Sequence, residues 1–233
     1  DIVRRVAINI AESCELQILQ DDLVNIALDP SQPQLIREEA ACAISRIGDD
    51  VTKVKLKSLV TGEAGDDIDD ELKGYGLRAV WPNHITPKEL FAILTPPKEN
   101  SFYRTYQHFL SENLVQHIQP TDLPLALKWV EKQRSLHNLS HHFKRPMDDI
   151  MLQAWEHLEL PGVLEDFAKA ALSRLKHYDA IIGSGTNPPF RKIWDNNDEK
   201  RHRVIEAIVP LLLPIEEKLI GSKLVILAED IPW

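Results

Sequence analysis

Three histidines in the middle of the chain, His137, His141 and His142, carry the plainest metal-binding chemistry, because a four-residue interval on a helix sets two imidazoles on one cation. Asn138, Ser140 and Pro146 make that stretch read as a connection, and no carboxylate falls within the usual motif. Surface histidines are therefore expected, and no metal. Gly183-Ser184-Gly185-Thr186 has the composition of a phosphate cradle. Asn187-Pro188-Pro189 follows it, however, where a nucleotide loop needs a lysine and a hydroxyl at the start of a helix. Trp155-Glu156-His157 offers an acid beside an imidazole, yet adjacent helical residues point about 100° apart and do not act as a simple acid–base pair. Ser13, Ser45 and Ser173 lie in ordinary helical text with no glycine elbow to raise a nucleophile. Asp66, Asp67, Asp69, Asp70 and Glu71 are dense enough in carboxylate to suggest calcium. They lack the ligand spacing and glycine of a calcium loop, so they read as acidic residues at a helix amino terminus. The expectation is no catalytic residue, no cofactor and no enzyme activity in this chain.

Binding chemistry is a different matter. Trp81, Trp129 and Trp155 fall on apolar helical faces and read as core. Trp194 follows a Pro-Pro pair among charged residues, and with Arg191 and Lys192 it is the candidate for an exposed contact.

The elements that carry these residues are set by a phrase that occurs three times: Val3-Arg4-x-x-Ala7, Ile36-Arg37-x-x-Ala40 and Leu72-Lys73-x-x-Gly76. An apolar residue followed one turn later by a small one lets a helix pack closely on a copy of itself, and the base between them is expected to stay in water. The intervals are 33 and 36 residues, near the range of stacked helical repeats and too irregular for heptads. The fold class predicted is all-α, a HEAT-like helical-repeat solenoid, and such a fold argues for a surface that holds something.

Punctuation along the chain fits. Two helices are expected from Ile2 to Leu28, broken near Cys14-Glu15. Gly48 should close a helix that carries Ile36, Ala40, Ala43, Ile44 and Ile47, and Asp49 or Asp50 should cap the next, with Val51, Val54, Leu56, Leu59 and Val60 as its apolar side. Thr61 to Gly65 reads as a flexible linker. Trp81-Pro82 ends a helix, Thr86-Pro87 begins one, and Pro146 is expected to open another with Asp148 and Asp149 in its first turn. Three segments result: helical repeats over 1–98, further antiparallel helices over 99–182, and a Pro- and Gly-broken helical segment over 183–233.

Composition narrows the partners. A formal charge of −9 on 233 residues disfavours nucleic acid, and Lys200-Arg201-His202-Arg203, interspersed with acids, reads as a solvated face. No apolar run is long enough to span a membrane. Cys14 and Cys42 sit in helical patterns and are expected as reduced core residues, which with the lack of a leader suggests a cytoplasmic protein. The chain opens in a repeat phrase and closes with Leu224-Val225-Ile226-Leu227 and Trp233, so it reads as an excised piece that self-associates through an uncapped end, chiefly the carboxyl one.

Ile36-Arg37-Glu38-Glu39-Ala40-Ala41-x-Ala43-Ile44-x-x-Ile47-Gly48-Asp49 resembles a HEAT-type repeat. Glu71 to Pro82, Leu90 to Lys98 and Ala154 to Leu158 resemble the region that follows the ATPase module in bacterial NACHT or STAND-type NTPases. That resemblance implies a sensor or scaffold arm that recognises a protein partner or trigger ligand, with phosphate chemistry in a separate module. The alternative is a HEAT-like nucleic-acid-binding or base-repair enzyme, which needs a basic concave face and an acidic catalytic residue.

Overall fold

The computed structural model of the protein describes residues 1–98, 104–133, 141–178, 180–183 and 188–212. All regular structure among them is helical, so the all-α expectation is met. No described helix is long and apolar enough to cross a membrane. Two compact units divide the chain, 1–117 and 118–233, whereas the sequence had placed its first boundary at 98.

In the first unit the helices are α1 (Ile2–Ser13), α2 (Gln20–Leu28), α3 (Gln34–Ile47), α4 (Asp50–Lys55), α5 (Lys57–Thr61), α6 (Glu71–Val80), α7 (Pro87–Ile93) and α8 (Thr105–His108). Helix α3 packs on α1, α2 and α6, while α6 also packs on α5 and α8. Side-chain bonds between these elements recur at near-constant sequence separation. Arg5 to Glu39, Arg46 to Glu12, Lys55 to Asp21, His84 to Asp50 and Thr105 to Glu71 are each 34 residues apart, and Gln34 to Asp69 and Arg104 to Asp69 are 35 apart.

The caps show why the helices begin where they do. Asp49 Oδ1 accepts from the Thr52 amide at 2.8 Å and opens α4. Thr86 and Glu89 form a reciprocal capping box on α7, with Pro87 in its first turn. Lys57 also donates to Glu89 at 2.7 Å, and this bond, with those from Thr86, holds the Glu89 carboxyl down at about 2. Gly48 ends α3 in an extended conformation rather than the left-handed one a C′ glycine commonly adopts.

Several expectations are corrected. Val51 and Val54 are exposed, and the apolar side of that hairpin is Leu56, Leu59 and Val60. The Thr61 to Gly65 stretch is no free linker, since Ala64 is buried and its carbonyl accepts from Arg37. Cys14 is exposed and Cys42 partly buried.

In the second unit α9 (Leu123–Lys132), α10 (His141–Glu156), α11 (Val163–Tyr178), α12 (Phe190–Asp195) and α13 (Asp198–Ile208) surround a core in which α11 touches α9, α10 and α13. Pro146 lies inside α10 rather than at its start, so Asp148 is not a first-turn acid. It pairs instead with the buried Arg174 and accepts from the Gly183 amide at 2.8 Å.

Candidate functional site

His137 and Ser184 to Asn187 lie outside the described residues; His141 and His142 begin α10, so the spacing proposed for a metal pair falls outside what is described. Glu156 accepts from Lys200 Nζ at 3.1 Å while the His157 ring faces Glu159 at 3.7 Å, so those neighbours are turned to different partners. Ser173 Oγ donates to the Glu131 carbonyl at 2.8 Å and is occupied in a structural bond.

The acidic cluster is a folding device. Asp67 Oδ2 accepts from the Lys73 amide at 2.8 Å, Asp70 Oδ2 from the Lys98 amide at 2.7 Å, and Asp69 pairs with Arg104. Arg104 and, at 3.4 Å, Lys98 Nζ thus balance the charges of Asp69 and Asp70.

Trp194 is buried, at 4% exposure, and the expectation of an exposed contact there is overturned. Its ring lies 5.6 Å from Trp155 and 6.0 Å from Phe190, and Phe190 meets Trp155 edge-on at 5.3 Å. A six-residue helix shows too little period to reveal which face is apolar. Arg191 and Lys192 remain exposed beside it, with Arg191 Nε bonded to Asp195 at 2.7 Å. The basic run after it is not a solvated face either. Arg201 is buried, Lys200 donates to the Trp155 carbonyl at 2.9 Å, and Arg203 donates to that of Leu158 at 3.3 Å.

The surface of α1 breaks the equivalence of the three phrases. Val3, Ile36 and Leu72 hold the same place in the repeated phrase, but their exposures are 82%, 1% and 1%. Ala7 is likewise exposed where Ala40 and Gly76 are buried. Ile2, Val6 and Ile10 extend this apolar face, and it borders a groove of about 300 Å³ between α1 and α2 lined by Arg4, Ala7, Ala11, Leu23, Ile26 and Ile36. One turn of side-chain arithmetic explains the arrangement. Ile8 and Ala11 face α3 and the core, so residues at 2, 3, 6 and 10 point the other way. The signal was present in the sequence, since α1 is apolar on more than one side.

The bases of the phrase depart from expectation too. Arg37 is only 3% exposed, and its guanidinium donates to three carbonyls: Ala27 at 3.0 Å, Ala64 at 2.6 Å and Asp66 at 3.3 Å. Lys73 is buried with its Nζ 2.7 Å from Thr95 Oγ1 and 4.6 Å over the Tyr106 ring. Burial holds the Lys73 ammonium down to about 8 against the pull of Asp70 and Asp67. Of the three bases Arg4 alone is exposed, and it donates to the Gln32 side-chain oxygen at 2.8 Å.

Protein-family models, curated proteins and solved structures give no match to this chain.

Proposed function

We propose that this chain is a non-catalytic helical-repeat scaffold that binds a protein partner. The observation that carries the reading is the continuous apolar face of Ile2, Val3, Val6, Ala7 and Ile10 on a helix whose repeat-related positions are covered. Apolar surface of this kind, rimmed by Arg4, Arg5 and Asp22, is characteristic of protein contacts. Bonds recurring at 34 and 35 residues support a stacked-repeat arrangement in the first unit, because each unit then touches its neighbour at one fixed offset. The sensor-arm role beside a NACHT or STAND-type NTPase module rests on the sequence resemblance. A nucleic-acid role gains no support, as Lys200, Arg201 and Arg203 are engaged with their own fold.

A photo-crosslinking residue in place of Val6 in the full chain, expressed in its source cells, tests this. A discrete adduct is expected, absent when the crosslinker replaces Arg191 and lost when Val3 is changed to Glu. Saturable ATP binding in calorimetry, or salt-sensitive binding of duplex DNA at submicromolar protein, would overturn the reading.

A further inference from the structure

Helices α1 and α3 run side by side in the same direction, because Arg5 pairs with Glu39 in their amino-terminal halves and Glu12 with Arg46 near their carboxyl ends. Their last turns come together at a cleft of about 480 Å³ lined by Glu12, Ser13, Glu15, Gln17, Arg46 and Gly48. A helix end of this kind leaves last-turn carbonyls without an intrahelical donor and carries a partial negative charge. Two such ends, with two carboxylates against one guanidinium, make the cleft a place for positive charge. Arg46 is engaged with Glu12, and among the described residues no base pairs with Glu15.

The way α1 ends singles out Glu15. The Leu16 amide donates to the Ala11 carbonyl at 2.8 Å and the Glu15 amide to that of Glu12 at 3.1 Å, the paired closure that leaves the residue after the helix cap in a left-handed conformation. Glycine takes that place without strain, but here Glu15 holds it at φ 51°. Its exposed carboxylate makes no described bond that would offset the strain. A charge at the mouth of the cleft is what the residue supplies.

Apolar surface adjoins it. Gln20 is bonded to Asp49 twice, through its Nε2 at 2.9 Å and from the Asp49 amide at 3.1 Å, which joins the turn of Gln17–Leu19 to the start of α4. Ile18 in that turn and Val51 in α4 are 89% and 72% exposed.

We propose that the cleft takes a lysine or arginine side chain of a partner polypeptide, its cation on Glu15 and the last-turn carbonyls of α3, with a neighbouring large apolar residue of that partner on Ile18 and Val51. This deepens the scaffold reading above and takes the class of partner from it. Nucleic acid and anionic lipid are repelled by the carboxylates, and a free amine would leave the apolar pair uncovered. Asp49 and Asp50 beside the cleft, and the formal charge of −9, draw a basic segment in.

The probe is the peptide Gly-Ser-Arg-Leu-Ser-Gly, titrated into the isotope-labelled full chain and followed by amide chemical shifts. Saturable shifts at Glu15, Gln17 and Gly48 are expected, and added salt should weaken them. The same peptide with citrulline for arginine should not bind, and one with serine for leucine should bind more weakly. Glu15→Gln should weaken binding about tenfold, the loss of one charge-assisted contact. Glu15→Gly should weaken it as much while raising the urea midpoint, a loss and a gain in one variant that a merely structural glutamate would not show. Arg191→Ala should change neither. Absence of saturable binding, or binding indifferent to Glu15→Gln, would overturn the proposal. So would equally tight binding of spermidine at the same amides, which would make a free amine the ligand. If the peptide fails while the discrete adduct at Val6 persists, this site is wrong and the scaffold stands. If the adduct is lost while the peptide binds, the scaffold's contact is this cleft rather than the face of α1; if both fail, neither stands.

Discussion

Arg37 Nε donates to the Ala27 carbonyl across 3.0 Å, which ties the start of α3 to the end of α2 through a side chain almost wholly removed from water. The same guanidinium serves two further carbonyls, so its planar fork is used in a way an ammonium does not reproduce. Arg37→Met should lower the stability of the first unit by about 3 kcal/mol, since three carbonyls lose their donor in a buried place. Arg37→Lys should recover less than half of that. Urea midpoints compare the three proteins, and a lysine variant as stable as the original would show that the fork is not needed.

Two glycines of α6 separate backbone from side-chain crowding. A Cβ on Gly76 would meet the Val60 methyl at 2.8 Å, whereas a Cβ on Gly74 would meet the Thr105 backbone carbon at 2.7 Å. A methyl group gives way by rotation; a packed backbone does not. Replacement by alanine recovers roughly 1 kcal/mol of helix propensity at either site, against an overpacking cost of about 1–3 kcal/mol. Gly76→Ala should be nearly neutral to mildly destabilising, and Gly74→Ala clearly destabilising. Equal midpoints for the two would mean that Tyr106 and its neighbours shift freely.

The comparison also shows what was legible in the sequence. Caps are local, and Thr86-Pro87-x-Glu89 and Asp49-x-x-Thr52 could be read because donor and acceptor lie within one turn. The buried state of Ile36, Ala40 and Leu72 followed from spacing. The fate of Arg37 did not, because its acceptors lie 10 and 27 residues away and a sequence does not display distant carbonyls. Val3 misled for the opposite reason. The phrase reports that a position is suited to burial, while the neighbour that covers it is written elsewhere. Trp194 was misread because α12 is too short to show which side is apolar.

Glu38 supplies a pH dependence whose sign is opposite to that of most carboxylates. Partial burial raises its pKa from 4.5 to about 6, reinforced by Asp69, Glu71 and Asp67 nearby. The folded state therefore holds this proton more tightly than the unfolded one. The stability it contributes is fully present below about pH 4.5 and is lost as pH rises through about 6. Glu38→Gln removes that dependence. Because the group is about half exposed, the full linkage value is discounted for solvent screening, leaving a gain of about 1 kcal/mol for the variant at pH 8 and none near pH 4. Urea titrations at both pH values check it, and a gain that is the same at both would remove Glu38 as its source.

Trp194 and Arg191 sit on one short helix and should respond in opposite degree. The indole of Trp194 completes an aromatic cluster with Trp155, Phe190 and Phe167, in which Trp155 touches all three other rings. Removing it leaves a large void in this cluster, and truncation of a buried tryptophan commonly costs about 3–5 kcal/mol. Trp194→Ala should therefore destabilise the second unit severely and reduce the near-ultraviolet circular dichroism of Trp155. Arg191 is exposed and pairs with Asp195 one turn away, an interaction worth about 0.3–0.5 kcal/mol. Arg191→Ala should leave both midpoint and spectrum almost unchanged. Should the two variants instead unfold at the same denaturant concentration, Trp194 would not be part of the core, and its place as a surface contact would be restored.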